Sequence, residues 1–408
     1  MMSHELPAWH HLARQDHLYK SRSSSSAFAG ALLVPMLVVI YLELAPYLFS
    51  VDARLLPKYT YYVMFAFMLP LLALRYRRLF RYAGSPFALW VAALVAFNAA
   101  HLFAAMLDLE HERIALIVTR IQYYVLAWMI VFACSEARDQ LLDRAFLALA
   151  VLLPCVTLFD FLNPGLMDPE GIVGRGAGTY LNPNKAGEGL LVTYLLAVRL
   201  MTPRWRWWLL VWVGIAVVST FSRGGIAAWA AIVLGLLVTG RVPRVMILFS
   251  VVAIVLIPIG WVGVENYLIG RADMAEGIDN IFGRIESLQS LSFDDASVAE
   301  RAAVTSAGWN LFLDNFIFGA GAGATHLWAL PVSVHDQALM MAAEYGIVGV
   351  CMWLWSIVIV IRGKYYPDPL LQWLAALVLV FLSMFSHNIF DFLYWLVSIG
   401  LFSRRRST

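Results

Sequence analysis

Apolar stretches recur from residue 27 to residue 402 of this 408-residue chain, most of them close to the length a helix needs to cross a bilayer. In lipid only helices and closed barrels satisfy their own backbone groups. The stretches here are continuously apolar rather than alternating, which is the pattern of helices and not of a lipid-facing barrel. Composition agrees, with 61% apolar and 14% charged residues and a mean hydropathy of +0.74, against about 25% charged in an ordinary soluble domain. The same recurrence excludes a signal peptide followed by a secreted domain. The fold class expected is an all-α integral membrane protein.

Read at bilayer length, the chain divides into twelve segments: 27–49, 59–75, 84–107, 114–134, 145–162, 185–200, 207–221, 224–239, 245–263, 337–361, 370–386 and 389–402. Lysine and arginine then set the orientation. With both termini cytoplasmic, 19 of the 29 basic residues fall inside, nine fall outside, and Arg120 lies within a span. The domains expected are a cytoplasmic N-terminal segment 1–26, spans one to nine over 27–263, and an extracytoplasmic loop 264–334. Spans ten to twelve follow over 335–402, with a cytoplasmic tail at 403–408. Residues 1–26 lack the pattern of a cleaved signal. The three cysteines, Cys134, Cys155 and Cys351, all lie in apolar segments and read as packing residues. The formal charge of +2 by itself points to no acidic partner, and no nucleic acid partner is expected.

Two outside loops are long, 164–184 and about 264–334, and long loops are functional or disordered. The larger carries helical spacing over 281–291 and 299–312, with Val304, Ala307 and Leu311 on one face. It is expected to form short helices at the outer membrane face.

Arginine is disfavoured outside, so Arg175, Arg223 and Arg301 each require an account. One reading is a helix cap or an ion pair for each. The other is anion binding, because a guanidinium offers a fork of donors matched to phosphate oxygens at any relevant pH, and the glycines beside Arg175 and Arg223 permit close approach of a ligand. His335 is the candidate for proton transfer. Ser333 followed by Asp336 resembles a capping box, which would put His335 in the first turn of a helix. The positive helix end there favours the neutral imidazole that a general base needs. A hydrogen-bonded interfacial histidine is the plainer alternative.

Other features are weaker. Asp108, Glu110 and Glu112 alternate in a short turn and could converge on a cation, although such a run is more often a solvated acidic turn. The glycine-rich stretch 319–323 lacks the context of a nucleotide loop. Glu43, Arg120, Glu188, Glu344 and Asp391 lie within apolar segments and must face protein or water. They suit a transporter, or a structural pair of Arg120 with Glu43 or Glu188.

The run Gly178-Thr179-Tyr180-Leu181-Asn182-Pro183-Asn184, then Ser222-Arg223-Gly224-Gly225, resembles the bacterial O-antigen ligase and polymerase superfamily. So do Arg301 with Trp309–Gly321, and His335-Asp336-Gln337-Ala338-Leu339 with Glu344-Tyr345-Gly346. The superfamily usually has Asn or Ser where Asp336 stands, which alters no role given to His335. The resemblance implies a GT-C-like glycosyltransferase of the bacterial inner membrane with its site on the periplasmic face. Its donor would be an undecaprenyl-pyrophosphate-linked glycan and its acceptor the lipid A–core oligosaccharide. Transfer would be inverting and metal-independent, with no cofactor. His335 would act as base, Arg175, Arg223 and Arg301 would hold the diphosphate, and Tyr180, Asn184 and Lys185 are candidate substrate contacts. O-antigen polymerases and protein O-oligosaccharyltransferases share these motifs. The latter usually carry a longer C-terminal extension than the six residues after Phe402. A lipid-linked-glycan transporter is the non-enzymatic alternative.

Overall fold

Proline opens several helices, where its missing N–H costs nothing and its fixed φ suits the first turn. Pro86, Pro183 and Pro369 each follow a residue whose side chain caps the helix: Ser85, Asn182 and Asp368 accept from the N–H groups of Ala88, Asn184 and Leu370. The computed structural model describes residues 30–137, 139–167, 174–241, 245, 296–330, 332–386 and 388–404, with backbone alone for 296–301. The N-terminal segment 1–26, nearly all of the ninth expected span, and the first part of the loop 264–334 with its expected helix at 281–291 lie outside the described residues, as does 405–408.

The helices are α1 (Gly30–Tyr41), α2 (Leu44–Val51), α3 (Pro57–Leu74), α4 (Tyr76–Ala83), α5 (Pro86–Leu107), α6 (His111–Glu136) and α7 (Asp139–Leu162). Then come α8 (Pro183–Val198), α9 (Pro203–Ser219), α10 (Arg223–Val238), α11 (Ala296–Asp314), α12 (Gln337–Arg362), α13 (Pro369–Ser383) and α14 (Leu393–Ser403). Regular structure among the described residues is helical. Every expected segment that is described holds a helix, but length separates them. By length and composition α5, α6, α7 and α12 suffice to cross a membrane, and the pair α1 and α2, bent by 62°, makes a fifth if it counts as one broken span. The apolar helices α10, α13 and α14 have 16, 15 and 11 residues, about 17–24 Å at 1.5 Å per residue. That falls short of a hydrocarbon core of about 30 Å.

The bundle is built around α8 and α14, which touch each other. Every residue of α8 except Asn184 is buried, and so is every residue of α14 except Ser403. Helices apolar all round belong inside. Around this pair α6 packs on α5 and α14, and α7 on α8 and α9. Outward side chains such as Val63, Phe67, Phe103, Leu234 and Leu377 are exposed, and so are Cys155 and Cys351, while Cys134 is buried. In α11, Val304 is buried and Ala307 and Leu311 are half-buried on the expected face.

Ion pairs tie together one end of the bundle, which we call the basic end. Arg78 meets Glu136 at 2.6 Å, Arg241 meets Asp368 at 2.6 Å, Arg404 meets Asp139 at 3.2 Å, and Arg199 pairs with Asp143. Arg175, Arg223 and His335 lie at the other end, where α8, α10 and α12 begin.

Candidate active site

The crossover from α7 into α8 is fixed by backbone hydrogen bonds to side chains and to neighbouring turns. A single Asp160 oxygen accepts from the N–H groups of Ala177 and Gly178, both at 2.8 Å. Gly176 donates to the Ser219 carbonyl at 2.9 Å, and a Cβ there would stand 2.7 Å from the Thr157 carbonyl oxygen, so the close approach requires glycine. Arg175 is thereby delivered against the end of α9. Its Nε donates to the Thr220 carbonyl at 2.8 Å and its Nη2 to Asn184 Oδ1 at 3.0 Å. Arg175 is buried.

Arg223, by contrast, is exposed. It is the first residue of α10, capped by Ser222, whose hydroxyl accepts from Gly225 N–H at 3.2 Å. The start of α10 presses onto α8: a Cβ on Gly187 would lie 3.7 Å from Gly225 Cα. Arg175, Asn184 and the turn leading to Arg223 therefore form one cluster, reached through Thr220 and the glycines.

Lys185 lies one residue further on, buried in the bundle. Its Nζ donates to Ser386 Oγ at 2.6 Å, lies 3.5 Å from Glu188, and sits 4.3 Å above the Phe392 ring. Tyr180 is buried with its hydroxyl donating to the Tyr41 carbonyl at 2.8 Å and its ring edge-on to Tyr394. The Arg301 side chain lies outside the described residues, and its position is within α11.

His335 is half-buried and stands just before α12 rather than in its first turn. The cap is Asp336, whose Oδ1 accepts from Leu339 N–H at 2.8 Å, and the capping box expected at Ser333 does not form. Asp336 serves because an acid at the N-cap accepts directly from the second or third N–H beyond it. Burial pushes the Asp336 carboxyl above the usual carboxylate range, against the opposing pull of the Leu339 and Ala338 N–H groups. Beside it Gln337 is fully buried with neither amide atom bonded among the described residues.

A charge network that sequence spacing did not pair is built on Glu344, further along α12. Arg120 donates to Asp391 through Nε at 2.7 Å and Nη2 at 3.0 Å, and through Nη1 to Glu344 at 2.5 Å. Neither Glu43 nor Glu188 is its partner here: Glu188 instead accepts from Tyr394 and Trp395. Glu344 also accepts from Gly323 N–H at 2.9 Å and the Thr325 hydroxyl at 2.6 Å, and lies 3.3 Å from His326 Nδ1. His326 Nε2 is 3.7 Å from Asp391. His326 is the residue the motifs passed over, and its place three residues after the glycine-rich stretch was the signal that could have found it.

The glycine-rich stretch is held by α12 itself. Gly346, at φ 65° and ψ −153°, kinks the helix, which releases the carbonyls of Ala343 and Glu344 to accept from Ala320 and Gly321 N–H, both at 2.9 Å. Arg113 closes the other side, donating to the Ala322 and Ala320 carbonyls at 2.9 and 2.7 Å and pairing with Glu110 at 2.8 Å. Glu110 thus pairs with arginine, and among the described residues no group of three His, Cys, Asp or Glu side chains is arranged to hold a metal ion. The two halves of the site meet in α14's approach, where Asp391 holds Arg120 while the adjacent Phe392 holds Lys185.

Residues 208–354, about a third of the chain, match the family described as O-Antigen ligase, the family its motifs resemble. The match covers Arg223, Arg301, His335 and Glu344 and leaves Arg175 and Lys185 outside it. No curated protein matches the chain.

Proposed function

We infer that this chain, with its O-antigen ligase family match in a membrane-helix bundle, is a glycosyltransferase. It moves a glycan from undecaprenyl pyrophosphate to the lipid A–core oligosaccharide at the periplasmic face of the bacterial inner membrane. The observation that carries this reading is the family match over 208–354. It takes in both the histidine that precedes α12 and the exposed arginine that opens α10, which lie at the same end of the bundle. A lipid diphosphate leaving group needs fixed positive charge at the membrane edge, and arginine supplies it in fork geometry. Arg223 and Arg301 take the diphosphate. Arg175, already bonded to Asn184 and Thr220, extends that charge and keeps its neighbours in place, while Asn184 and Lys185 border the glycan path.

His335 takes the proton of the acceptor hydroxyl as its oxygen attacks the anomeric carbon. The bond from that carbon to the diphosphate oxygen breaks, undecaprenyl diphosphate leaves, and the configuration inverts. Electrostatic stabilisation of the departing diphosphate needs no metal in this scheme, so chelator should leave transfer intact. The test is a reaction of purified protein with lipid-linked glycan and rough lipopolysaccharide. A ladder on the lipopolysaccharide supports ligation. Longer lipid-linked chains with unmodified lipopolysaccharide identify a polymerase, and neither product would overturn the enzymatic reading.

A further inference from the structure

At the basic end of the bundle a cavity of about 570 Å³ opens between the ends of α8 and α12 and the start of α13, a size within the ordinary range for ligand sites. Its floor is rigid. Tyr365 and Tyr366 donate their hydroxyls to the Leu196 and Leu195 carbonyls at 2.7 and 2.6 Å, which satisfies the otherwise open end of α8. Gln372 joins α12 to α14 by donating to the carbonyls of Val360 and Phe402. Arg199 lies in the wall, its guanidinium 4.2 Å from the Tyr365 ring centroid and its side chain only 3% exposed. It pairs with Asp143, and its buried Nε makes no hydrogen bond among the described residues.

The rim is cationic, with no counter-charge on it among the described residues. Arg362 and Lys364 line the cavity, are exposed, and make no side-chain ion pair or hydrogen bond among the described residues. The described acids of this end are occupied: Asp143 with Arg199, Asp139 with Arg404, Asp368 with Arg241, and Glu136 with Arg78. Next to the cations the lining turns apolar, with Leu200, Ile361 and Trp373. Trp373 is 57% exposed, and Trp205 and Trp208 on neighbouring α9 are exposed at the same end. Tryptophans grouped at helix ends mark the depth of lipid headgroups. Cations beside them, over a pocket between helices, fit an anionic headgroup.

We propose that this cavity binds the phosphodiester headgroup of an anionic phospholipid. Arg362 and Lys364 pair with the phosphate, Arg199 adds its positive charge from the wall, and the first acyl carbons lie against Trp373 and Leu200. A soluble phosphate ester would use the same cations and gain nothing from the apolar rim. The proposal is independent of the transferase reading, since it concerns the opposite end of the bundle and none of its residues.

Native mass spectrometry of the full chain, offered equal phosphatidylglycerol and phosphatidylcholine in detergent, tests it. The wild type should retain phosphatidylglycerol selectively, and R362Q/K364Q should lose that selectivity. Each cation near a charged lipid surface is worth about a fivefold effect, so the pair should account for about thirtyfold. R204Q removes an exposed arginine of the same end that does not line the cavity and should leave selectivity intact. Glycerol 3-phosphate in excess should not displace the lipid. Equal retention of both lipids by the wild type, unchanged selectivity in R362Q/K364Q, or an equal loss in R204Q would overturn the site. Displacement by glycerol 3-phosphate would overturn the lipid as its occupant. If the double variant fails to fold, single K364Q and R362Q variants set against charge-keeping K364R and R362K give the same comparison.

Discussion

Arg120 and Asp391, 271 residues apart in sequence, meet through two parallel hydrogen bonds of 2.7 and 3.0 Å inside the bundle. The remaining guanidinium nitrogen reaches Glu344 at 2.5 Å. One arginine on α6 therefore fixes both α12 and the turn before α14. Breaking a buried pair by removing one partner costs about 3–5 kcal/mol, because the other charge is left uncompensated. Arg120→Leu is expected to lose that much stability, read as a lowered Tm in detergent. Neutralising the set as R120M/E344Q/D391N should recover part of the loss, since apolar or neutral replacements for whole buried networks are well tolerated. A Tm for Arg120→Leu equal to wild type would show that the network holds nothing together.

The two arginines at the α8–α10 cluster should separate in their response to lysine. Arg175 is buried and uses both Nε and Nη2, so Arg175→Lys loses a fork that a point charge cannot replace. It should lower Tm and transfer rate together. Arg223 is exposed, and Arg223→Lys should slow transfer with Tm unchanged. Paired thermal melts and transfer assays check this, and wild-type transfer by Arg223→Lys would remove it from diphosphate binding.

Gly346 occupies a region of φ and ψ that is essentially restricted to glycine. Gly346→Ala should straighten the α12 kink, withdraw the Ala343 and Glu344 carbonyls, and release the 319–323 stretch. The expected loss is about 1–3 kcal/mol from backbone strain alone, measured by thermal unfolding. Faster hydrogen exchange confined to the amides of Ala320 and Gly321 would locate it.

Much of this was legible from hydrophobic pattern. The long apolar runs became α5, α6, α7 and α12 because a stretch that fills a bilayer has few other ways to satisfy its backbone. The helix holding Arg301 was visible in the spacing of Val304, Ala307 and Leu311. What pattern could not reach was pairing over long separations: Arg120 was matched with Glu43 or Glu188, while the fold brought Glu344 and Asp391. Nor did it place the break between α1 and α2 at Glu43, which has φ 46°, although Pro46 three residues on has no N–H to bond the Leu42 carbonyl and so ends the first helix there. The helix start was expected three residues early because Ser333 and Asp336 could each cap a helix, and the structure caps it with Asp336, which leaves His335 just outside.

Asp336 gives a pH handle on that cap. Burial raises its carboxyl pKa in the folded protein, so the folded state binds the proton more tightly than the unfolded one. Its contribution to stability is present at low pH and is lost as pH rises through the folded value. Asparagine caps as well as aspartate without titrating. Asp336→Asn should therefore gain in Tm relative to wild type as pH rises from acidic to neutral, and the two should converge at low pH. A constant difference across that range would contradict the assignment.

The central claim is that His335 removes the acceptor proton, and the most direct measurement is the transfer rate of His335→Ala alongside its binding of the lipid-linked donor. General-base assistance is worth about 10²–10⁴-fold in rate. The expected result is a loss of that size with donor binding and Tm retained, and with wild-type activity falling as pH is lowered. A loss under about tenfold, donor binding that collapses in step with rate, or activity that rises on acidification would contradict it, and in the last two cases His335 would join the arginines as a ligand of the diphosphate.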